Sequence, residues 1–221
     1  MLSQSQEKLI KSLQTKKGRE KSGLCLVEGE KLVAEIADHL EFSFTRNDSE
    51  KFDSLVTTET PQTIAAVARL PQWTKETIEN TKTIVVLDGV QDPGNVGTIL
   101  RLCLGFHASL LLIESADVGN PKVIRSSAGS VFRTPWIKLN RKEALQYLPS
   151  LNRPIYRLEK VSDSIPLQKM ETGPIVLIAG SEGNGITLPI KGVSIMIEQN
   201  KALESLNVSS ALAIALYERN R

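Results

Sequence analysis

The polar and apolar positions divide this chain into two regions with different habits. Near the start, Leu2, Leu9, Ile10 and Leu13 lie on a rough helical stripe among polar residues, which predicts a helix over 3–17. GLCLVEG at 23–29 reads as a short strand between glycines. Over 31–40 helical spacing returns, with Leu32, Val33, Ile36, Ala37 and Leu40 on one face. EFSFT (41–45) and SLVTT (54–58) alternate as strands do, and TPQTIAAVARLP (60–71) supplies a turn, the start of a helix or strand, and a proline stop. Short mixed elements of this kind predict a small α/β domain of about 75 residues, a size consistent with independent folding.

Residues 72–82 are polar and carry no strong period. Beyond them apolar strands alternate with helices, the signature of a mainly parallel sheet. The strands are IVVLD (84–88), SLLLIE (109–114), RPIYRLE (153–159), PIVLIAG (174–180) and GVSIMIE (192–198). TILRLCLGF (98–106) reads as a helix starting near Val96, and NPKVIRSSAG (120–129) as a helix with its proline in the first turn. RKEALQYL (141–148) is a third helix. SLNVSSALAIALYERNR (205–221) closes the chain as a fourth, with Ser205 as its cap and basic residues at its negative end. Its small and apolar residues predict burial against the sheet or against another subunit. The expected organisation is a small domain over 1–75, a linker over 76–83 and a larger α/β domain over 84–221.

Composition narrows the class. With 41% hydrophobic and 24% charged residues, the 221-residue chain has enough apolar side chain for a core and does not read as disordered. No apolar run approaches the roughly 18–20 residues of a membrane span. The opening MLSQSQEKLIKSLQTKK lacks the apolar core of a signal peptide. The expectation is a soluble cytoplasmic protein. Cys25 and Cys103 stand far apart in apolar surroundings and read as small buried hydrophobes. His39 and His107 have no partner at ligand spacing, so no metal site is expected. The net charge of +2 does not announce nucleic acid, but its distribution adds something. Residues 1–22 hold Lys8, Lys11, Lys16, Lys17, Arg19 and Lys21 against Glu7 and Glu20, a local charge of +4. Such a stretch can neutralise phosphates. For the charge run alone, a solvated helix face is the plainer reading.

Three segments carry candidate chemistry. DGVQDPGNVGTILRLCLGF (88–106) places a polar turn at a strand's carboxyl end, where open α/β sheets bind ligands, with Asn95 in the turn and Arg101 inside the following helix. An ordinary turn with Asn95 as helix cap competes with that. VIRSSAGSVFRTPW (123–136) combines arginines such as Arg125 with small residues, and Ala128 and Gly129 allow close backbone packing. IVLIAGSEGNGI (175–186) ends a strand in a glycine-rich loop holding Glu182. It leads through IMIEQNKALESLNVSSALAIALYE (195–218) to Ser205 and Asn207. The glycine spacing is G-x-x-G-x-G after a late strand, which excludes a standard dinucleotide fingerprint.

In their order and joint detail, PGNVGTILRLCLGF, SAGSVFRTPW, and AGSEGNGI with ESLNVSSALAIALYE resemble the three motifs of the SpoU (TrmH-like) RNA ribose 2′-O-methyltransferases of the SPOUT superfamily. The resemblance covers residues 84–221. LVEGEKLVAE (26–35) and TPQTIAAV (60–67) resemble the small substrate-binding domain many relatives carry in front. The resemblance implies a deep trefoil knot in the C-terminal domain, a homodimer, and S-adenosyl-L-methionine as methyl donor. It implies RNA as partner, with ribosomal RNA favoured over transfer RNA, and neither metal nor membrane. The residues it points to for the reaction are Asn95, Arg101, Glu182, Ser205 and Asn207. By position, Ala179, Gly180, Gly183, Ile197 and Leu206 would hold the donor, largely through backbone groups. Lys16, Lys17, Arg19 and Arg125 are the candidates for gripping RNA.

Where relatives commonly carry Ile-Pro-Met and then a glycine ahead of ESLN, this sequence has Ile197, Glu198, Gln199, Asn200 and Lys201; losing that proline and glycine touches the donor pocket's wall. Arg101 is expected to grip a phosphate and stabilise a developing alkoxide, because a guanidinium stays protonated and makes a poor base. Glu182 would orient Arg101 or accept the hydroxyl proton. Two other classes stay open. A noncatalytic RNA-binding module would keep the fold without donor binding, and a small-molecule enzyme with a phosphate loop would bind nucleotides without RNA.

Overall fold

The computed structural model describes residues 1–200 and 202–221; Lys201, part of the departing stretch, lies outside the described residues. The front region opens with α1 (Gln4–Leu13), whose Ser3–Gln6 capping box fixes its start and whose inner face buries Ile10 and Leu13. The stripe read over 3–17 breaks there. A second helix, α2 (Lys16–Ser22), starts at the Thr15 cap and ends at Gly23, which takes the left-handed conformation (φ 69°) that glycine adopts without strain. Then follow β1 (Leu24–Glu28), α3 (Glu30–Glu35), β2 (Leu40–Thr45), α4 (Phe52–Leu55) and β3 (Ile64–Arg69). The three strands form an antiparallel sheet in the order β1-β3-β2. One face packs Leu24, Leu26, Ala65 and Val67 against Ile10, Leu13, Phe52 and Leu55. The other face sends Cys25, Val27, Ala66 and Ala68 into the large core of the second region. Burial on both faces explains why LCLVE shows no polar alternation.

Two local expectations fail here. SLVTT is not a strand: the chain makes one helical turn, burying Phe52 and Leu55 three residues apart, and then runs on as coil. The helix over 31–40 stops at Glu35, and Leu40 begins β2 after a 3-10 turn over Ala37–His39.

The stretch read as linker contains α5 (Lys75–Glu79), capped by Thr74 and burying Ile78. Next come β4 (Thr83–Asp88), α6 (Pro93–Gly105), β5 (Ala108–Ile113), α7 (Pro121–Ser127), β6 (Trp136–Leu139), α8 (Arg141–Ser150), β7 (Ile155–Leu158), β8 (Ile165–Pro166), β9 (Ile175–Gly180), β10 (Val193–Met196) and α9 (Val208–Arg219). All pairings in the resulting sheet are parallel, in the order β6-β5-β4-β9-β7-β10-β8. The chain is therefore α/β with a mainly parallel C-terminal sheet, as its pattern indicated. Strands β6 and β8 escaped sequence reading because they are short and half-buried. One sheet face, with Val85, Leu110 and Leu177, joins Ile99, Ile124 and Leu212 of α6, α7 and α9. The other, with Val86, Leu111 and Ile178, packs on Ile78, Ala144 and Leu148 of α5 and α8. From β4 the chain winds outward through β5 and β6, and it later returns to β4's other side as β9. This reversal makes the carboxyl ends of β4 and β9 a natural ligand crevice.

A buried ion pair joins the two regions. Arg19 Nε donates to Asp117 Oδ2 at 2.7 Å and its Nη1 to the Leu13 carbonyl at 2.8 Å, while Lys138 Nζ donates to Asp117 Oδ1 at 2.9 Å. Arg19 is only 6% exposed, so it is removed from the group of RNA-gripping candidates: its charge is already committed. Burial alone would raise the Asp117 carboxyl pKa, but Arg19 and Lys138 outweigh it and hold it below the ordinary aspartate range. The pair's contribution is therefore complete above the unfolded pKa of ~3.9 and is lost as pH falls through the lower folded value. Arg19→Met is expected to cost about 3 kcal/mol at neutral pH. Thermal melts should show a clear deficit at neutral pH that narrows well below pH ~3.9. Equal melting temperatures at neutral pH would mean that the pair holds nothing together.

Candidate active site

The site begins with the cap of α6. Asp92 Oδ1 accepts the Asn95 backbone N–H at 2.8 Å, and Pro93 takes the first helical position. The helix thus starts three residues before Val96, and Asn95 is not its cap. With its backbone donor satisfied by Asp92, the Asn95 side chain is free to bridge. Its Nδ2 donates to Glu182 Oε1, and its Oδ1 accepts from Asn207 Nδ2 at 3.0 Å. Asn207 caps α9, accepting the backbone N–H groups of Ser209 at 3.0 Å and Ser210 at 3.3 Å. Ser205 is therefore not the cap. The structure brings together Asn95, Glu182 and Asn207, which lie 87 and 112 positions apart in the sequence when counted from Asn95.

The loop carrying Glu182 is held at both ends. Gly185 N donates to the Ser181 carbonyl at 2.9 Å, which folds the loop back over Gly180. A Cβ on Gly180 would fall 2.0 Å from the Gly185 carbonyl carbon, so only glycine fits. Gly180 can therefore offer a ligand backbone groups alone. On the far side, Asp88 closes β4 with a buried carboxylate. It accepts from Thr187 N (2.6 Å), Leu188 N (2.7 Å), Thr187 Oγ1 (3.1 Å) and Arg141 Nη2 (2.9 Å). Asp88 was not among the sequence-derived candidates. Its signal was an acid ending the otherwise apolar run IVVLD.

The small residues of the second motif pack. A Cβ on Gly97 would sit 1.9 Å from Ser126 Oγ, so α6 and α7 cross in direct contact. A Cβ on Gly129 would meet Leu32 of α3 at 2.7 Å. The close-packing reading of this motif holds.

Beside the network lies a cleft of about 140 Å³. Its walls are Leu158, Ile195, Ile197, Leu206 and Ala211, with Glu159, Gln199 and Ser205 among the polar groups. Ile197 and Leu206 thus meet, together with Ser205. Ala179 is buried in β9 in register with Leu158 of β7, and Gly183 stands exposed at the loop tip. Within the departing stretch, Gln199 lines the cleft, and Glu198 and Asn200 are exposed. Glu159 is an addition: Arg157 Nε donates to its Oε1 at 2.8 Å and Ser194 Oγ at 2.7 Å. Burial would raise its pKa, but these two donors hold it below the ordinary glutamate range, so it stands in the cleft as a carboxylate paired with Arg157.

Arg101 stands elsewhere. Six residues after Asn95, it lies about 9 Å along α6 and roughly 240° around it, so the two do not share a face. It is exposed and lines a separate groove of about 860 Å³ with Arg125 and Arg133. Glu182 binds Asn95, and no hydrogen bond or ion pair links it to Arg101 among the described residues. The expectation that Glu182 orients Arg101 is corrected for the single chain. Arg125 is partly committed, donating to Thr57 Oγ1 at 3.0 Å with Glu28 at 3.8 Å. Lys16 and Lys17 are exposed on α2, with Lys16 3.8 Å from Glu20. Among the described residues no three His, Cys, Asp or Glu side chains gather as a metal site, and no described helix is long and apolar enough to cross a membrane.

Residues 82–217 match the model of the SpoU rRNA methylase family. The chain belongs to that family. Residues 5–44 of this SpoU protein also match an MRM3-like substrate binding domain. It is 31% identical to the 23S rRNA (guanosine(2553)-2′-O)-methyltransferase RlmP of Bacillus subtilis, over 94% of this chain and 92% of that one. A TrmH-family structure from Porphyromonas gingivalis superposes with a TM-score of 0.85 at 32% identity, covering 100% of this chain and 98% of that one. An AdoMet-bound rRNA methyltransferase from Sinorhizobium meliloti shares the fold, with a TM-score of 0.87 at 22% identity, covering 99% and 96%. The junction of Asn95, Glu182 and Asn207 lies within the residues that match this SpoU family. Asp88 and Glu159 are what this chain's own geometry adds to it.

Proposed function

We propose that this SpoU protein transfers a methyl group from S-adenosyl-L-methionine to a ribose 2′-hydroxyl in structured RNA, with ribosomal RNA favoured over transfer RNA. The observation that carries this reading is the junction of Asn95, Glu182 and Asn207 near the carboxyl ends of β4 and β9, beside an apolar cleft at the ends of β7 and β10. The cleft suits part of the donor: Ile197 and Leu206 offer an apolar face for a flat ring, and Ala179 and Gly180 end a strand there with backbone groups. When bound, the donor supplies an electrophilic methyl group on a positively charged sulfur. Glu182 Oε1 is occupied by the Asn95 amide, which leaves Oε2 to accept the hydroxyl proton, directly or through one water. Asn207 and Ser205 hydrogen-bond the incoming ribose. Arg101, turned into a separate groove within one chain, reaches the reacting nucleotide from the second copy of the homodimer, where it grips the phosphate and stabilises the alkoxide.

The reading includes a division into domains 1–75 and 84–221, a trefoil knot in the second, work in the cytoplasm, and RNA contact through Lys16, Lys17 and Arg125. It also includes a homodimer. Ile214 and Tyr217, three residues apart on α9, are 42% and 62% exposed, an unusual surface for apolar side chains that a second copy would cover. Sedimentation at twice the chain mass is expected; a lone chain at micromolar concentration would overturn the dimer.

The deciding experiment supplies labelled donor and total RNA from cells lacking this protein, followed by nucleoside analysis. Label in a 2′-O-methylated nucleoside is expected. A folded protein that leaves intact ribosomal and transfer RNA unlabelled would point instead to a noncatalytic RNA-binding module.

A further inference from the structure

The groove that holds Arg101 is separate from the donor cleft, and it lies between the two regions of the chain. One wall comes from α3 and its approach, with Gly29, Lys31 and Gln62; the other presents Arg101, Arg125 and Arg133. Most of the acidic charge on the first wall is already paired, whereas two of the three guanidinium groups on the other are not. Glu28, with its side chain only 2% exposed, accepts from Thr57 and Thr58 and lies 3.8 Å from Arg125. Glu35 pairs with Lys31 at 4.0 Å, and Glu30 is exposed at the start of α3 with no ion pair among the described residues. Arg101 and Arg133 are exposed and have no side-chain hydrogen bond or ion pair among the described residues.

Arg133 is also placed firmly. It follows a 3-10 turn, Ser130–Phe132, whose Val131 and Phe132 are buried, and its backbone N–H donates to the Ser130 carbonyl at 3.0 Å. The anchored backbone leaves a guanidinium with five donors to project into the groove. Two such forks on one wall match the oxygens of a phosphodiester, which guanidinium binds with two parallel hydrogen bonds. At about 860 Å³ the groove falls within the ~300–1,000 Å³ of ligand pockets, a size for a nucleotide or two rather than for a duplex.

We propose that this groove receives a single-stranded stretch of the RNA substrate, with its phosphodiester backbone held by Arg133 together with Arg101. The proposal rests on the RNA-methylating reading and assigns Arg133 as a binding residue for it. Arg125, tied to Thr57 and Glu28, holds the two walls at a fixed spacing and touches the RNA only with the donors those contacts leave free.

The test uses the full chain with Arg133→Gln and Arg133→Lys. Retention of ribosomal RNA from cells lacking the protein is measured between about 50 and 200 mM salt. Arg133→Gln should flatten the log–log salt slope by about 0.7–0.9, the value of one phosphate contact. It should raise KM for RNA several-fold with kcat kept, and leave S-adenosylhomocysteine binding at the parental level, which also confirms folding. Arg133→Lys should restore the slope while recovering KM only in part, since a lysine keeps the charge but loses the fork. An unchanged slope and KM in Arg133→Gln, with the parent methylating RNA, would overturn the groove and spare the reaction. A parent that methylates no RNA would overturn the reaction itself. Displacement of the RNA by a micromolar mixture of nucleoside 5′-monophosphates would make the groove a site for small nucleotides and overturn the proposal.

Discussion

Arg101→Ala should lower kcat for methyl transfer by about 10²–10³-fold, the range seen when one donor to a developing oxyanion is removed. Donor binding should persist, because Arg101 faces the groove and not the donor cleft. The effect follows from charge. A guanidinium cannot take the hydroxyl proton at neutral pH, so its use lies in holding phosphate and in favouring the alkoxide. Arg101→Lys should recover only part of the rate, since the charge remains and the fork does not. Arg101 shares the phosphate grip with Arg133, so its loss should raise KM as well as lower kcat, whereas Arg133→Gln should raise KM alone. A normal rate in Arg101→Ala with saturating RNA would sink the assignment.

The second large effect is expected at Asp88. Its carboxylate is fully buried and accepts from two backbone N–H groups, one hydroxyl and one guanidinium. Asp88→Ala leaves those donors unsatisfied, at a cost of about 3 kcal/mol. For a chain of this size that corresponds to a melting temperature lower by about 6–12 °C. The local consequence matters as much. Thr187 and Leu188 tether the loop that carries Glu182, so amide hydrogen exchange at both should accelerate, and methyl transfer should fall even below the new melting temperature. A melting temperature within a degree of the parent's would show that the loop is held by other contacts.

Much of the fold could be read from local pattern. IVVLD, SLLLIE and PIVLIAG are continuous apolar runs because their strands are buried on both faces of a parallel sheet. SLVTT misled because two apolar residues near a turn fit either period, and packing decided for one helical turn burying Phe52 and Leu55. Arg19 misled for a different reason. A charged residue in a basic stretch is exposed by default, and only a buried carboxylate from elsewhere in the chain reverses that. Asp117, its partner, lies 98 positions away.

The α/β class, the long buried strands with the helices between them, the family of the chain and the residue types at its chemical positions were determined by the sequence alone. Those properties depend on local periodicity and on motifs that stay recognisable in one dimension. Tertiary structure decided which of those residues act together. It joined Asn95 to Glu182 and Asn207, turned Arg101 away from them into a groove with Arg133, and used Arg19 to fasten the two regions. Hydrogen bonds and ion pairs act over a few ångströms, and only the packed sheet brings positions about a hundred residues apart within that range.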